Sequence, residues 1–335
     1  MAQPLADVVR QYAGRRVLIT GAGGFIGRWV ARLLQPGGAE LLLAARSAAS
    51  LESLGRAYQF TGRTMVSDLS EAGSFERLYR DARPHITFHL AGYGVNPEER
   101  DPQLAYKMNH RLIKDISEII SASRMDDWPG VRLINAGSAA EYGAVPGPVT
   151  EKSPENPVNL YARTKLAGKL ALDGCIQRTG LRAITARLFT VYGPGEHGHR
   201  LLPSLIEAAH TGHTLALTAG EQQRDFTYVA DAAEGLVRLG CLEGAAPPVA
   251  NVATGTLTSV RGFAETAGKV LSLRPGQLNF GALPYRPDET LHGAVNTSLL
   301  EGLLGWKPPT SIRSGIEKTV AFRAGMKNEC AEVGS

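Results

Sequence analysis

Cysteine is scarce: Cys175, Cys241 and Cys330 are the only three in 335 residues, and no two form a CxxC pair. That spacing argues against a disulfide framework and a thiolate metal site, and it suits a reducing compartment. Long apolar runs are missing too. No stretch approaches the roughly 18 residues that a membrane-spanning helix needs. Residues 1–16 lack the apolar centre of a secretory leader. A cytoplasmic protein with no membrane partner is the expectation. Charge of one sign is not concentrated either, since 36 basic and 32 acidic residues leave a net charge of +4. Lys and Arg are scattered, with no basic stripe and no nucleic-acid module, so nucleic acid is not an expected partner. Internal repeats and low-complexity tracts are absent.

What is present is enough apolar side chain to bury a sizeable core, 43% of the residues. The length suits one large or two coupled domains. Short apolar runs at 16–20, 41–45, 64–69, 85–91, 131–135 and 183–188 read as strands. Helical periodicity appears at 1–13, 25–34, 104–121 and 161–177. Unbroken apolar strands alternating with helices indicate βαβ units and a parallel sheet buried on both faces. After about residue 190 the pattern turns irregular. Residues 1–190, with a return segment at about 229–254, are expected to form the main domain. Residues 191–228 and 255–330 are expected to form a smaller lobe.

Between the first strand and the first helix stands the run TGAGGFIG, residues 20–27. Gly21 permits a tight turn, Gly24 admits a pyrophosphate close to the backbone, and Gly27 lets helix and strand pack closely. The helix start offers N–H groups to phosphates. This context predicts a dinucleotide-binding sheet of the Rossmann type: α/β, doubly wound and parallel, with a smaller C-terminal α/β substrate lobe. In such folds an acid about 20 residues further on binds the ribose 2′-hydroxyl. Here the second strand ends Ala45-Arg46-Ser47, without a carboxylate. A guanidinium suits a 2′-phosphate, so NADP is favoured and NAD is the alternative. Asp68-Leu69, ending the third strand, either contacts the adenine or caps a turn.

Tyr161 and Lys165 are four apart on a predicted helix, so phenol and ammonium share a face. A neighbouring cation is expected to lower the phenol from its ordinary value near 10. Ser138 closely follows another strand, at the end of a parallel sheet where ligands bind. A serine there either caps the next turn or hydrogen-bonds a reacting oxygen.

Taken together, these motifs resemble the extended short-chain dehydrogenase/reductases, the NAD-dependent epimerase/dehydratase family. Further marks in the same order are HLAG at 89–92, Asn109 in KMNH, GSAAEYG at 137–143, YARTK at 161–165 and RLFTVYGPG at 187–195. QQRDFTYVAD at 222–231, YRPDE at 285–289 and LGWKP at 304–308 follow. The resemblance spans nearly the whole chain. It implies that Ser138, Tyr161 and Lys165 are catalytic, with Tyr161 moving the proton and Lys165 binding the nicotinamide ribose. Asn109 would support the active-site helix and its water relay. Phe25, Ile26, Leu90, Ala91 and Gly92 would join Gly21, Gly24, Gly27, Arg46, Ser47, Asp68 and Leu69 around the cofactor. Arg224 and Arg286 would grip the diphosphate of a nucleotide-sugar, with Thr190 beside them. A homodimer through helices 104–121 and 161–177 is common among such proteins.

Two departures narrow the reaction. Sugar 4,6-dehydratases carry an Asp-Glu pair where this chain has Ala139-Ala140, so dehydration is not expected, nor is the related decarboxylation. Thr190 replaces an Asn that often meets the substrate phosphates. His197 and His199 are too close for a helical metal site and lack further ligands, so no metal is expected. The expected activity is NADPH-dependent reduction of a nucleotide-linked 4-keto-6-deoxysugar. The alternatives are a nucleotide-sugar 4-epimerase with tightly bound NAD, a reductase of small carbonyl compounds, and a non-catalytic nucleotide-binding regulator. The intact Ser–Tyr–Lys set argues against the last.

Overall fold

A computed structural model describes residues 2–95, 98–123, 127–145, 147–285 and 293–332. A short helix α1 (Leu5–Arg10) leads into β1 (Arg16–Thr20), α2 (Gly27–Leu34), β2 (Glu40–Ala45), α3 (Ala48–Tyr58), β3 (Arg63–Val66), α4 (Ser74–Ala82) and β4 (Ile86–His89). Next come α5 (Pro102–Tyr106), a π-helical turn (Lys107–Arg111), α6 (Leu112–Ala122), β5 (Leu133–Ser138), a 3₁₀ turn (Ala139–Tyr142), α7 (Leu160–Thr179) and β6 (Ala183–Leu188). The later chain forms β7 (Thr190–Tyr192), α8 (Leu201–Thr211), β8 (Leu215–Leu217), β9 (Gln223–Tyr228), α9 (Val229–Gly240) and β10 (Val249–Val252). It ends with β11 (Leu257–Ser259), α10 (Val260–Val270), β12 (Leu278–Phe280), α11 (Ser298–Leu304) and α12 (Ile312–Glu332).

Seven strands form one sheet in the order β10-β6-β5-β4-β1-β2-β3, every pair parallel. Successive side chains of a strand face opposite sides, and the core divides accordingly. Val17 and Ile19 join one apolar cluster with Val30 and Leu34 of α2 and Leu236 and Val237 of α9. Leu18 joins the other, with Phe75 of α4, Ile116 of α6 and Leu172 of α7. Strands buried on both faces explain the unbroken apolar runs in the sequence. Two smaller sheets, β11-β9-β7 and β12-β8, complete the described chain. The predicted single helix over 104–121 is instead interrupted by the π turn at 107–111, and β5 runs on to Ser138 rather than ending at Asn135.

Helix α7 lies so close to the π turn that a Cβ at Gly168 would overlap the Asn109 carbonyl, whereas Gly174, further along α7, faces open space with only the end of Arg178 within reach. Gly168→Ala should therefore destabilise the fold by roughly 1–3 kcal/mol through overpacking. Gly174→Ala should stabilise it by roughly 0.5–1 kcal/mol, the helix-propensity gain. Urea denaturation of both variants tests the contact; equal effects would contradict it.

Candidate functional site

The strand order reverses between β1 and β4, and ligands of open parallel sheets settle beyond the carboxyl ends at such a point. Thr20, ending β1, hydrogen-bonds His89, ending β4, at 2.7 Å between Oγ1 and Nδ1. Burial, with the nearby Lys165 charge, pushes the His89 imidazole down to about 3, so it stays neutral. Gly21 follows with φ +69°, and a Cβ there would press on the backbone of Leu90 and Ala91. A Cβ at Gly27 would overlap the Gly21 carbonyl. The Gly24 amide donates to that carbonyl at 2.8 Å, and α2 begins without a side-chain cap.

Beyond this turn opens a groove of about 670 Å³, lined by Gly21, Gly24, Arg46, Ser47, Asp68, Leu69, Leu90, Ala91 and Gly92 among others. The bare glycine cradle, the uncapped helix start and the groove's size suit a dinucleotide: the turn and helix would hold its pyrophosphate. Phe25 and Ile26 differ from the rest, because their side chains pack against the apolar core. Arg46 is exposed at the end of β2. Asp68 Oδ1 accepts from the Ser70 amide at 2.9 Å, which together with the Arg46 and Lys107 charges lowers its carboxyl. Asp68 is thus a turn cap that also lines the groove. Ser47 is an N-cap as well, its hydroxyl accepting from the Ser50 amide at 3.4 Å.

At the end of the groove stand the residues singled out for chemistry. Gly92 faces the Lys165 ammonium, and Gly94 faces the Tyr161 ring. Lys165 Nζ donates to the Ala136 carbonyl at 2.9 Å. Ser138 closes β5, its hydroxyl accepts from the Ala140 amide at 3.2 Å, and the same side chain favours the ionised form of the Tyr161 phenol. The expected acidified phenol is not what this arrangement produces. Burial pushes Tyr161 up to about 12; the Ser138 hydrogen bond opposes that rise, and the charges of Glu141 and Glu99 add to it. Burial likewise lowers the Lys165 ammonium, so it is the weaker cation. Sequence spacing revealed the shared helix face but not the cost of partly burying both groups. Near neutral pH the phenol holds its proton.

Asn109 is buried within the π turn. Its Nδ2 donates to the Tyr93 carbonyl at 2.7 Å and to Thr164 Oγ1 at 2.9 Å, and its Oδ1 accepts from the Tyr93 amide at 3.1 Å. One side chain therefore ties the segment after β4 to the helix that carries Tyr161. Thr190 lies across from this region, lining a second pocket of about 190 Å³ with Glu196 and Arg200. Arg224 is on β9, on the same strand face as Phe226, which lines that pocket. Arg286 lies outside the described residues.

Sequence reasoning missed a buried ion network behind Ser138. Glu141 Oε1 accepts from the Ser138 amide at 2.7 Å, and its Oε2 from Arg187 Nε at 2.7 Å, with both side chains fully buried. Arg187 also pairs with Glu155, which Lys169 holds at 2.8 Å. A signal existed, since Ser-x-x-Glu at 138–141 is a capping-box pattern.

A profile of the NAD dependent epimerase/dehydratase family matches residues 17–253. The chain is 28% identical over 318 residues to a dTDP-6-deoxy-L-talose 4-dehydrogenase (NAD(P)(+)) of Kitasatospora kifunensis, covering 91% of this chain and 95% of that one. It is 30% identical over 318 residues to a UDP-glucose 4-epimerase of Mycolicibacterium smegmatis, covering 92% and 98%. Among solved structures, MoeE5 in complex with UDP-glucose and NAD superposes with a TM-score of 0.77 at 25% identity, covering 92% and 98%.

Breaking a buried ion pair costs about 3–5 kcal/mol. Glu141→Ala should destabilise the protein by that order, and Glu141→Leu combined with Arg187→Met should recover much of the loss. Urea midpoints measure both. A loss below about 1 kcal/mol in the single variant would show that Arg187 is held by other means.

Proposed function

Because the chain belongs to the NAD dependent epimerase/dehydratase family, and so is an NAD(P)-dependent enzyme that modifies nucleotide-sugars at C4, we propose that it is an NADPH-dependent reductase of a nucleotide-linked 4-keto-6-deoxysugar. One observation carries the choice. The end of β2 presents Ala45, Arg46 and Ser47 to the groove, with no carboxylate for a ribose 2′-hydroxyl. A guanidinium there holds a 2′-phosphate. A reductase draws on a pool of reduced cofactor; an epimerase regenerates its own and has no need of the phosphate mark.

The bound dinucleotide supplies hydride to C4. The chain's own residues do the remainder. Tyr161, holding its proton at neutral pH, donates it to the C4 oxygen. Ser138 hydrogen-bonds the same oxygen. Lys165, anchored through Ala136, keeps its other N–H groups for the nicotinamide ribose. Asn109 fixes the helix under Tyr161, and Thr190, Arg224 and Arg286 meet the substrate diphosphate.

The second reading, a nucleotide-sugar 4-epimerase, is favoured by the 30% identity to the M. smegmatis UDP-glucose 4-epimerase. Incubating the protein with NADPH and a panel of nucleotide 4-keto-sugars separates the two. Consumption of one NADPH per sugar is expected; sugar conversion without net consumption would establish the epimerase. Arg46→Ala should weaken NADPH binding roughly 10- to 100-fold, the loss of about 1.5–3 kcal/mol from charge-assisted hydrogen bonds, and leave NADH binding unchanged. Fluorescence titration with both cofactors measures this, and equal effects on the two would remove the case for NADPH.

A further inference from the structure

The second pocket contains a group that the proposed reaction does not use. Glu196 follows the Gly193-Pro194-Gly195 turn, and its side chain is only 6% exposed. One of its carboxyl oxygens faces Arg200 Nε at 3.3 Å. The other, Oε2, is buried and has no hydrogen-bond partner in the protein. A buried carboxylate oxygen left without a partner is costly and needs an explanation.

The surroundings supply one. Arg200 is 40% exposed and keeps N–H groups for a ligand. It precedes α8, eleven residues long, whose start has no side-chain cap. Thr190 and His199 line the same pocket, and Phe226 and Phe263 wall it. Apart from Glu196, these polar groups are ones that bind anions. The titratable and charged groups facing Glu196 are Arg200 and His199 from its own segment and Tyr192 from β7; the Gly193 amide also favours its ionised form. From α2, Arg28 meets Gly195, but its N–H groups are bound to the Gly23 and Gly24 carbonyls and to Tyr58.

Resting on the nucleotide-sugar reading above, we infer that Glu196 is a proton-coupled binding residue, taking one proton from solvent as the substrate's diphosphate engages Arg200 and then donating a hydrogen bond to a phosphate oxygen. An anion beside an ionised, buried carboxylate would repel it and compete for its one guanidinium. Protonation removes both penalties and gives Oε2 or its twin a donor role. The free protein is already poised for this, because burial holds Glu196 up at about 7 despite Arg200. The bound-state value is higher still, so binding is strongest at low pH and weakens as pH rises above about 7.

Calorimetric titration of the whole protein with UDP-glucose and with dTDP-glucose, in two buffers of different ionisation heat, tests this. Both probes are esterified at each end of the diphosphate and so lack the phosphate ionisation near pH 6. At pH 7.5 the wild type should take up most of about one proton, and its Kd should rise up to about tenfold per pH unit above neutrality. E196Q should show neither effect, and His199→Gln should keep both. Binding without proton uptake overturns the inference alone, and the wild type decides this even if E196Q fails to fold. Uptake that survives in E196Q or vanishes in His199→Gln also overturns it. No binding of either probe at any pH overturns the inference together with the reading beneath it.

Discussion

The candidate site depends on one side chain, Asn109. Its amide bonds both the N–H and the carbonyl of Tyr93 and reaches Thr164 on α7. It stands where the helix widens into a π turn, a distortion that recurs at functional sites. Gly168 completes the arrangement by letting the two helices close. The strip Gly92–Gly94 thereby lies against Lys165 and Tyr161 at the groove's inner end.

Around this clamp the protein places its ionisable groups at unequal depth. Tyr161 and Lys165 are both half-buried, so the phenol rises to about 12 and the ammonium falls. Arg187 and Glu141 are sealed behind them and fix the Ser138 backbone. The phenol therefore keeps its proton near neutral pH.

Much of the fold was readable because its strands are buried on both faces, and such strands leave uninterrupted apolar runs. TGAGGFIG was readable because backbone crowding at Gly21 and Gly27 admits no side chain. Tyr161, Lys165 and Ser138 were readable from helix spacing and strand position, and all three converge at the groove end. Three features were hidden. The sign of the Tyr161 shift depends on burial, which spacing does not carry. The π turn inside 104–121 follows from tertiary contacts, since its local sequence is ordinary for a helix. The Glu141–Arg187 pair joins residues 46 positions apart, and only the assembled sheet brings them together. Ser47 and Asp68 both cap the segment that follows them while lining the groove, so a capping role does not remove a strand-end residue from the groove.

In the proposed reduction, hydride enters at sugar C4 while Tyr161 supplies the proton. The most direct test uses NADPH deuterated at the transferring position with a nucleotide 4-keto-6-deoxysugar, the product being read by NMR. The wild type should place deuterium at C4 of the product, and Tyr161→Phe should lose that transfer. Product free of deuterium, or full transfer by Tyr161→Phe, would contradict this reduction.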